Sequence, residues 1–263
     1  KGRNMTESIL WHGTIAAVFT SLFAGLGGFL IFCKKHYSHE NIDFMLNIAA
    51  GIMLASSVFT LLAPAAASIN QVEANHYLGG LWIVLAVIGG VGIIWILHEV
   101  VPHEHEYSGK HGEGAINMRS SLLFIFAIAI HKFPEGLAVG VAYAGQELFD
   151  PKALAVGIAL QNIPEGLMVA GSLVALRFSR LKAALLAAVS GLMQPLGALV
   201  GILGTGFSPK LVPFGMALAG GTMLFVIINE VLPETYIRRN EEKSSAAILI
   251  GFIFMTYLSI VLG

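Results

Sequence analysis

The sequence predicts an all-α integral membrane protein with eight transmembrane helices and both termini outside the cytoplasm. Hydrophobic residues make up 56% of the 263 residues and charged residues only 12%, whereas soluble domains are nearer a quarter charged. The apolar residues form continuous segments of about 20 or more, the length that a helix needs to cross a bilayer. Because these segments are continuously apolar rather than alternating, they are predicted to be helices, which satisfy their own backbone in lipid.

Eight segments qualify as membrane spans, numbered 1 to 8 in chain order. Their approximate limits are 8–33, 43–67, 78–101, 119–144, 152–176, 182–205, 211–235 and 245–263. The first apolar run is too long for a signal-peptide core and lacks an A-x-A cleavage pattern at its end, which predicts a retained span. The connections are short and polar or contain Gly and Pro, so the whole chain, 1–263, is predicted to be one transmembrane domain.

Lysine and arginine residues set the predicted orientation. The loops after spans 1, 3, 5 and 7 carry ten of them: Lys34, Lys35, Lys110, Arg119, Arg177, Arg180, Lys182, Arg238, Arg239 and Lys243. The opposite side carries four: Lys1, Arg3, Lys152 and Lys210. This asymmetry places the termini outside, most consistently in a plasma (inner) membrane. The net charge of −1 argues against a nucleic-acid partner, and lipid is the expected surroundings.

One seven-residue pattern occurs twice inside the spans. Span 4 contains HKFPEGL at 131–137 and span 5 contains QNIPEGL at 161–167, while span 6 adds Gln194 followed by proline. Counted from the span ends at about 1.5 Å per residue, all three segments lie about 14–20 Å deep. Ionisable groups at that depth are costly and indicate function. The polar residues of three spans are therefore predicted to meet near the bilayer centre.

The spacing within each copy suits a metal ion. His131 and Glu135 share one helix face, as do Gln161 and Glu165, because residues four apart in a helix are neighbours. One imidazole, two carboxylates and an amide oxygen are ligands that a divalent metal such as zinc accepts, and the absence of thiolates argues against a tight structural site. Polar groups in spans also serve as interhelical hydrogen bonds, but a duplicated motif at matched depth favours the metal hypothesis.

These motifs resemble the ZIP (Zrt/Irt-like) family of metal transporters, and most of all its prokaryotic GufA branch. The matching segments are HKFPEGLAVGV at 131–141, QNIPEGLMVAG at 161–171, SGLMQPLGALVG at 190–201, NEVLPET at 229–235 and VPHEHEYSG at 101–109. The resemblance implies a transporter rather than an enzyme. It also implies a transporting unit of spans 1, 4, 5 and 6 that slides against a scaffold of spans 2, 3, 7 and 8, often as a homodimer.

The resemblance places the primary metal site on His131, Glu135, Gln161 and Glu165. The branch's two-metal pattern has Asn after the span-4 His, Asp after the span-5 Gln and Glu before the span-6 Pro. This chain has Lys132, Asn162 and Gln194 at those positions. Two acids have become amides and one amide has become a cation, so the chain is predicted to bind one metal ion, with the lysine as a fixed substitute for the second.

Two further groups of polar residues lie toward the predicted cytosolic side. The first, at the inner ends of spans 3 and 7, comprises His98, Glu99, Asn229 and Glu230, with Glu234 nearby. The second comprises His103, His105 and His111 in the predicted cytosolic loop 102–118. The first group has two interpretations: an exit path for metal, or a set of ordinary interfacial residues. The second is a transient metal-binding loop or a solvated loop.

Two other classes of function compete with a carrier. An intramembrane metal-dependent enzyme would need a second catalytic signature; the nearest candidate, His98-Glu99, fails the H-E-x-x-H spacing because residue 102 is proline. A divalent cation channel is also open, although no repeated filter-like loop favours it. Among metals, zinc is first, with cadmium, iron(II) and manganese(II) also compatible with nitrogen and oxygen ligands.

Overall fold

The computed structural model describes residues 2–34, 39–100, 132–146, 150–175, 177–206, 208–233 and 241–262, and within these ranges the regular structure is entirely helical. Seven stretches are long and apolar enough to cross a membrane: Ile9–Phe32, Glu40–Ser68, His76–Leu97, Lys152–Val174, Arg180–Thr205, Val212–Asn229 and Glu242–Leu262. They correspond to predicted spans 1, 2, 3, 5, 6, 7 and 8. Predicted span 4 lies partly outside the described residues; its described part is helical over 132–144.

The helices have the following bounds. The α-helices are Gly2–Phe29, His39–Ala55, Ala63–Ser68, His76–Val100, 132–144, Lys152–Ala175, Arg180–Ser190, Met193–Gly206, Val212–Val226 and Glu241–Leu262. Short 3₁₀ turns follow at Leu30–Phe32, Ile69–Gln71 and Pro209–Leu211.

Spans 2 and 7 each contain a π-helical stretch, Ser56–Leu62 and Ile227–Val231. A proline follows each stretch by two residues, at Pro64 and Pro233. Proline has no amide hydrogen for the carbonyl four residues earlier, so the α-helical pattern is interrupted one turn before it. Widening of the helix at these places accommodates the missing bond, and such widened turns are frequent at functional sites.

Span 6 was predicted to be continuous, but its helix is interrupted by a turn at Gly191 and Leu192. The amide of Gln194 donates to the carbonyl of Gly191 at 3.0 Å. Pro195 has no amide hydrogen, so it cannot bond to the carbonyl of Gly191 in the α-helical pattern. The interruption places Gln194 in the first turn of the helix Met193–Gly206.

Close glycine contacts join neighbouring spans. A methyl group on Gly27 of span 1 would strike the carbonyl of Ile163 in span 5, and one on Gly166 of span 5 would strike the carbonyl of Ala24 in span 1. Such backbone-to-backbone approach is typical of helix packing in membranes. The same reciprocal arrangement is made by Gly136 and Gly197 between spans 4 and 6, by Gly51 and Gly251 between spans 2 and 8, and by Gly90 and Gly221 between spans 3 and 7.

In the described part of the chain, these glycine contacts with backbone lie within two groups of spans and never between them. The first group is spans 1, 4, 5 and 6, and the second is spans 2, 3, 7 and 8. Where a glycine faces the other group, at Gly157, Gly171 and Gly215, its nearest neighbours are side chains only. Backbones therefore interlock within each group, while side chains fill the boundary between the groups.

Span 5 is the most buried of the seven described stretches. In its most apolar stretch 72% of the residues are buried, against 11% in span 3 and 17% in span 8. Spans 3 and 8 instead expose large apolar side chains such as Trp82, Trp95 and Ile253. Exposed apolar surface of this extent suits a lipid environment rather than water. The duplicated motif of span 5 thus lies at the centre of the molecule.

Candidate metal centre

The ammonium group of Lys132 occupies the middle of the polar cluster. Its Nζ lies 3.1 Å from both carboxylate oxygens of Glu135, three residues further along the same helix. It also donates to Oδ1 of Asn162 at 2.5 Å and to Oε2 of Glu165. Asn162 and Glu165 both belong to the second copy of the motif, on span 5. One buried cation therefore joins the two copies of the motif.

Amide side chains extend this cluster to spans 1 and 6. Gln194 Nε2 donates to Glu135 Oε2 at 2.5 Å. Asn162 Nδ2 donates to Gln194 Oε1 at 3.0 Å and to the backbone carbonyl of Thr20 at 2.8 Å. The Thr20 hydroxyl also reaches Gln194 Oε1, at 3.4 Å. All four spans of the first group thus contribute to one hydrogen-bonded network.

Thr20 is the member of this network that the sequence interpretation missed. Its side chain is fully buried and its hydroxyl lies 2.9 Å from the carbonyl of Ala17. The signal that could have pointed to it is the polar pair Thr20-Ser21, which interrupts the otherwise apolar run 15–33. Its main contribution is a backbone carbonyl, which every residue carries and no motif can mark.

The two carboxylates differ in how far their side chains are buried. The side chain of Glu135 is 3% exposed, whereas that of Glu165 is 15% exposed. With both acids ionised and Lys132 protonated, this part of the cluster carries two negative charges and one positive charge. A buried charge is tolerated only when it is paired and hydrogen-bonded. The lysine supplies that pairing for both acids.

Gln161 differs from every other amide of the cluster. Its side chain is fully buried, yet neither Nε2 nor Oε1 has a hydrogen-bond partner in the described part of the chain. Gln161 and Glu165 lie on the same face of span 5, one turn apart. A buried amide without partners is rare in folded proteins and needs a reason. An amide oxygen beside a carboxylate fits the chemistry of a divalent cation.

His131, the fourth predicted ligand, lies outside the described residues, as do His103, His105 and His111. Within the described ranges, no three His, Cys, Asp or Glu residues are grouped closely enough to hold a metal ion. The described centre thus brings together Glu135 and Glu165 through Lys132, with Gln161 one turn away from Glu165.

The predicted exit residues are only partly described. Glu99 and Asn229 are exposed, while the side chains of His98 and Glu230 lie outside the described part, as does Glu234. The described residues therefore leave the exit path and the interfacial alternative both open.

Comparisons with known proteins agree with the interpretation of the chain as a helical membrane protein. The family model described as ZIP Zinc transporter matches residues 97–259. The chain is 34% identical to the Zinc transporter GufA of Myxococcus xanthus, over 95% of this chain and 99% of that protein. It is 37% identical to the Zinc transporter ZIPB of Bordetella bronchiseptica, over 90% and 77%. It is 29% identical to the Zinc transporter ZupT of Chlorobium chlorochromatii, over 95% and 97%.

Proposed function

Because the chain belongs to the ZIP family of zinc transporters, we propose that it carries divalent transition-metal ions, zinc first, across the membrane toward the cytosol. The ion is held at mid-membrane by His131, Glu135, Gln161 and Glu165. Cadmium, iron(II) and manganese(II) are the other candidate cargoes. The relatives are named as transporters rather than enzymes, and this chain is a transporter of the same family.

The observation that supports this site best is the unpartnered amide of Gln161 beside Glu165. Leaving a buried amide unpaired costs about 1–3 kcal/mol per group. A cation bound to Glu165 would accept the Gln161 oxygen as a second ligand on the same helix face. The greater exposure of the Glu165 side chain, 15% against 3% for Glu135, makes Glu165 the first carboxylate that an arriving ion reaches.

Lys132 supports a centre for one ion. Its ammonium group already takes up oxygens of Glu135, Asn162 and Glu165, and a dication at the same place would be repelled by it. Asn162 and Gln194 carry no charge that could attract a second dication. The centre is therefore proposed to be mononuclear, with Lys132 in place of a second metal.

The glycine contacts support movement of the two groups of spans as units. Interlocked backbones keep each group rigid, whereas the boundary between groups is filled by side chains, which can repack. We place the inner end of the route at His98, Glu99, Asn229 and Glu230, with the His-containing loop as a transient acceptor. We place the protein in the plasma (inner) membrane, and a homodimer formed through the second group is the proposed assembly.

The experiment that tests the function is metal uptake into proteoliposomes, with a panel of divalent ions and with and without a pH gradient. We expect saturable zinc uptake by the wild type. Replacing Glu135 or Glu165 with Ala removes a charged ligand, so uptake falls to the level of empty liposomes while the protein still inserts. Glu40→Ala serves as the control, because Glu40 is an exposed acid paired with Lys243 away from the centre.

Wild-type rates in both Glu135→Ala and Glu165→Ala would overturn the proposed site. Single-channel conductance in place of slow, saturable flux would assign the protein as a channel. Hydrolysis of a substrate by the purified protein would revive the enzyme alternative.

A further inference from the structure

A second side chain shares the unusual state of Gln161. Ser56 of span 2 is fully buried, and its hydroxyl has no hydrogen-bond partner among the described residues. The neighbouring hydroxyls behave differently. Ser57 donates to the carbonyl of Met53 at 2.8 Å, and Thr60 donates to the carbonyl of Ser56 at 2.6 Å. Bonding back to the helix is the ordinary solution for such residues, and Ser56 alone of the three does not use it.

Ser56 of span 2 lies against span 5 at Gly157, one helical turn before Gln161. A Cβ placed on Gly157 would lie 3.1 Å from the Ser56 Oγ. Gly157 is one turn before Gln161 on the same helix face. Side chains of a helix lean toward its N-terminus, so the amide of Gln161 lies over the turn that begins at Gly157. Two unpartnered polar groups are therefore found along one seam, between span 2 and span 5.

This seam lies on the boundary between the two groups of spans, where side chains rather than backbones meet. Met255 closes it in this structure, because its Sδ lies 2.6 Å from the same Cβ position on Gly157. The surroundings are apolar and buried, because Met255 belongs to a buried cluster with Ile52, Ala55 and Ala153. Alanine at position 56 would pack in such a place without burying an unpaired hydroxyl. The hydroxyl therefore indicates a partner that is met when the seam opens.

The chemistry of that partner follows from the two groups and their position. Gly157 lies between Gln161 and the Lys152 end of span 5, which is the outer side in the proposed orientation. A metal ion moving inward from that side passes apolar walls after losing water, so each oxygen on the way replaces part of its hydration. Hydroxyl and amide oxygens are neutral and bind a divalent ion weakly, which allows release to the carboxylate at Glu165.

We propose that Ser56 and Gln161 form a transient ligand pair for the transported metal on the outer side of the centre. The ion passes from the Ser56 hydroxyl to the Gln161 amide oxygen and then to Glu165 as spans 2 and 5 separate. This inference rests on the proposed function, since it concerns how the same ion reaches the same centre.

The first test compares Ser56→Ala with Ser57→Ala in the proteoliposome assay. Both serines are buried neighbours, but only Ser56 lacks a bond for its hydroxyl. We expect Ser56→Ala to raise the KM for zinc severalfold and to leave the maximal rate close to wild type, without loss of thermal stability. Ser57→Ala is expected to leave the KM unchanged. An unchanged KM in Ser56→Ala would overturn the proposal.

The second test adds a readout, protection of a thiol from alkylation, that does not depend on transport. In a Cys33→Ser background, Ser56→Cys puts a soft ligand at the proposed position, and Ser57→Cys is the matched control. Because thiolates favour soft metals, we expect the ratio of cadmium to zinc uptake to rise in Ser56→Cys only. We also expect cadmium or zinc to slow alkylation of its new thiol by a maleimide, in protein that elutes as a single folded species.

Absence of metal protection at position 56, or equal protection at position 57, would contradict the ligand role. If the wild type carries no metal at all, the proposed function fails instead, and the protection experiment still decides whether Ser56 meets a metal ion.

Discussion

Lys132 Nζ lies between two carboxylates and an amide oxygen with only 2% of the residue exposed. The sequence places a charged residue at mid-span, where it must be paired or face water. Glu135 lies three residues away on the same helix, and Glu165 lies on the next span. Both ion pairs are found. Because a buried lysine needs an acid as partner and few acids lie inside the spans, the spacing of the sequence is enough to identify both partners of Lys132.

The residue-scale prediction concerns the number of metal ions. If Lys132 replaces a second metal, the wild-type centre binds one zinc ion. Combining Lys132→Asn, Asn162→Asp and Gln194→Glu removes the cation and adds two carboxylates, so this variant is expected to bind two. Isothermal titration and anomalous scattering at the zinc edge measure the stoichiometry, with Gln194→Glu alone as the control. Two ions in the wild-type centre would show that the lysine does not have this role.

Other residues of the network could not be found from spacing. Asn162 and Gln194 stood out because a polar residue in a span is rare, and they do bond to each other. Thr20 acts through its backbone carbonyl, which depends on how span 1 packs against span 5. The seam at Ser56 and Gly157 likewise joins distant parts of the chain. Such contacts follow from tertiary packing, about which a single sequence carries no direct information.

At the scale of the element, hydropathy located seven spans with their ends within about six residues. The length that the bilayer demands is strict, and this makes the spans easy to find. The break in span 6 and the π-helical stretches of spans 2 and 7 were not predicted. Prolines at 64, 195 and 233 are the local cause, but proline is common in membrane helices, and Pro164 lies inside a helix that continues through it.

The element-scale prediction uses two adjacent glycines of span 3. A methyl group on Gly90 would strike the carbonyl of Leu218 in span 7, whereas nothing lies within 4 Å of one on Gly89. Because the struck atom is backbone, Gly90→Ala must push the spans apart, and we expect it to destabilise the protein by about 1–3 kcal/mol. Gly89→Ala is expected to stay within about 0.5 kcal/mol of wild type. Thermal denaturation in detergent measures the stabilities of the two variants. Equal stabilities would contradict the close contact at Gly90.

The contacts that the glycines make divide the helices of the molecule into two groups. Glycines interlock backbones within each group of four spans, and the described polar network around Lys132 joins spans 1, 4, 5 and 6, the first group. The boundary between groups carries side-chain contacts at Gly157, Gly171 and Gly215. An ion held in one rigid group can change sides when that group moves against the other. The arrangement therefore favours transport by relative movement of two bodies rather than by a pore through one.

The whole-molecule prediction is that only links across the boundary stop transport. In a Cys33→Ser background, Ile42→Cys with Gly171→Cys joins span 2 to span 5; a Cβ at Gly171 would lie 3.8 Å from Ile42 Cδ1, an ordinary contact that tolerates the change. Glu40→Cys with Lys243→Cys joins span 2 to span 8 within the second group, where the native side chains lie 2.6 Å apart. A short, reducible bifunctional thiol reagent is expected to abolish zinc uptake by the first variant, with recovery on reduction, and to leave the second active.

Both links involve the beginning of span 2, so a difference between them reports the boundary and not local damage. Full uptake by the first variant after complete linking would show that the groups do not move against each other at this seam.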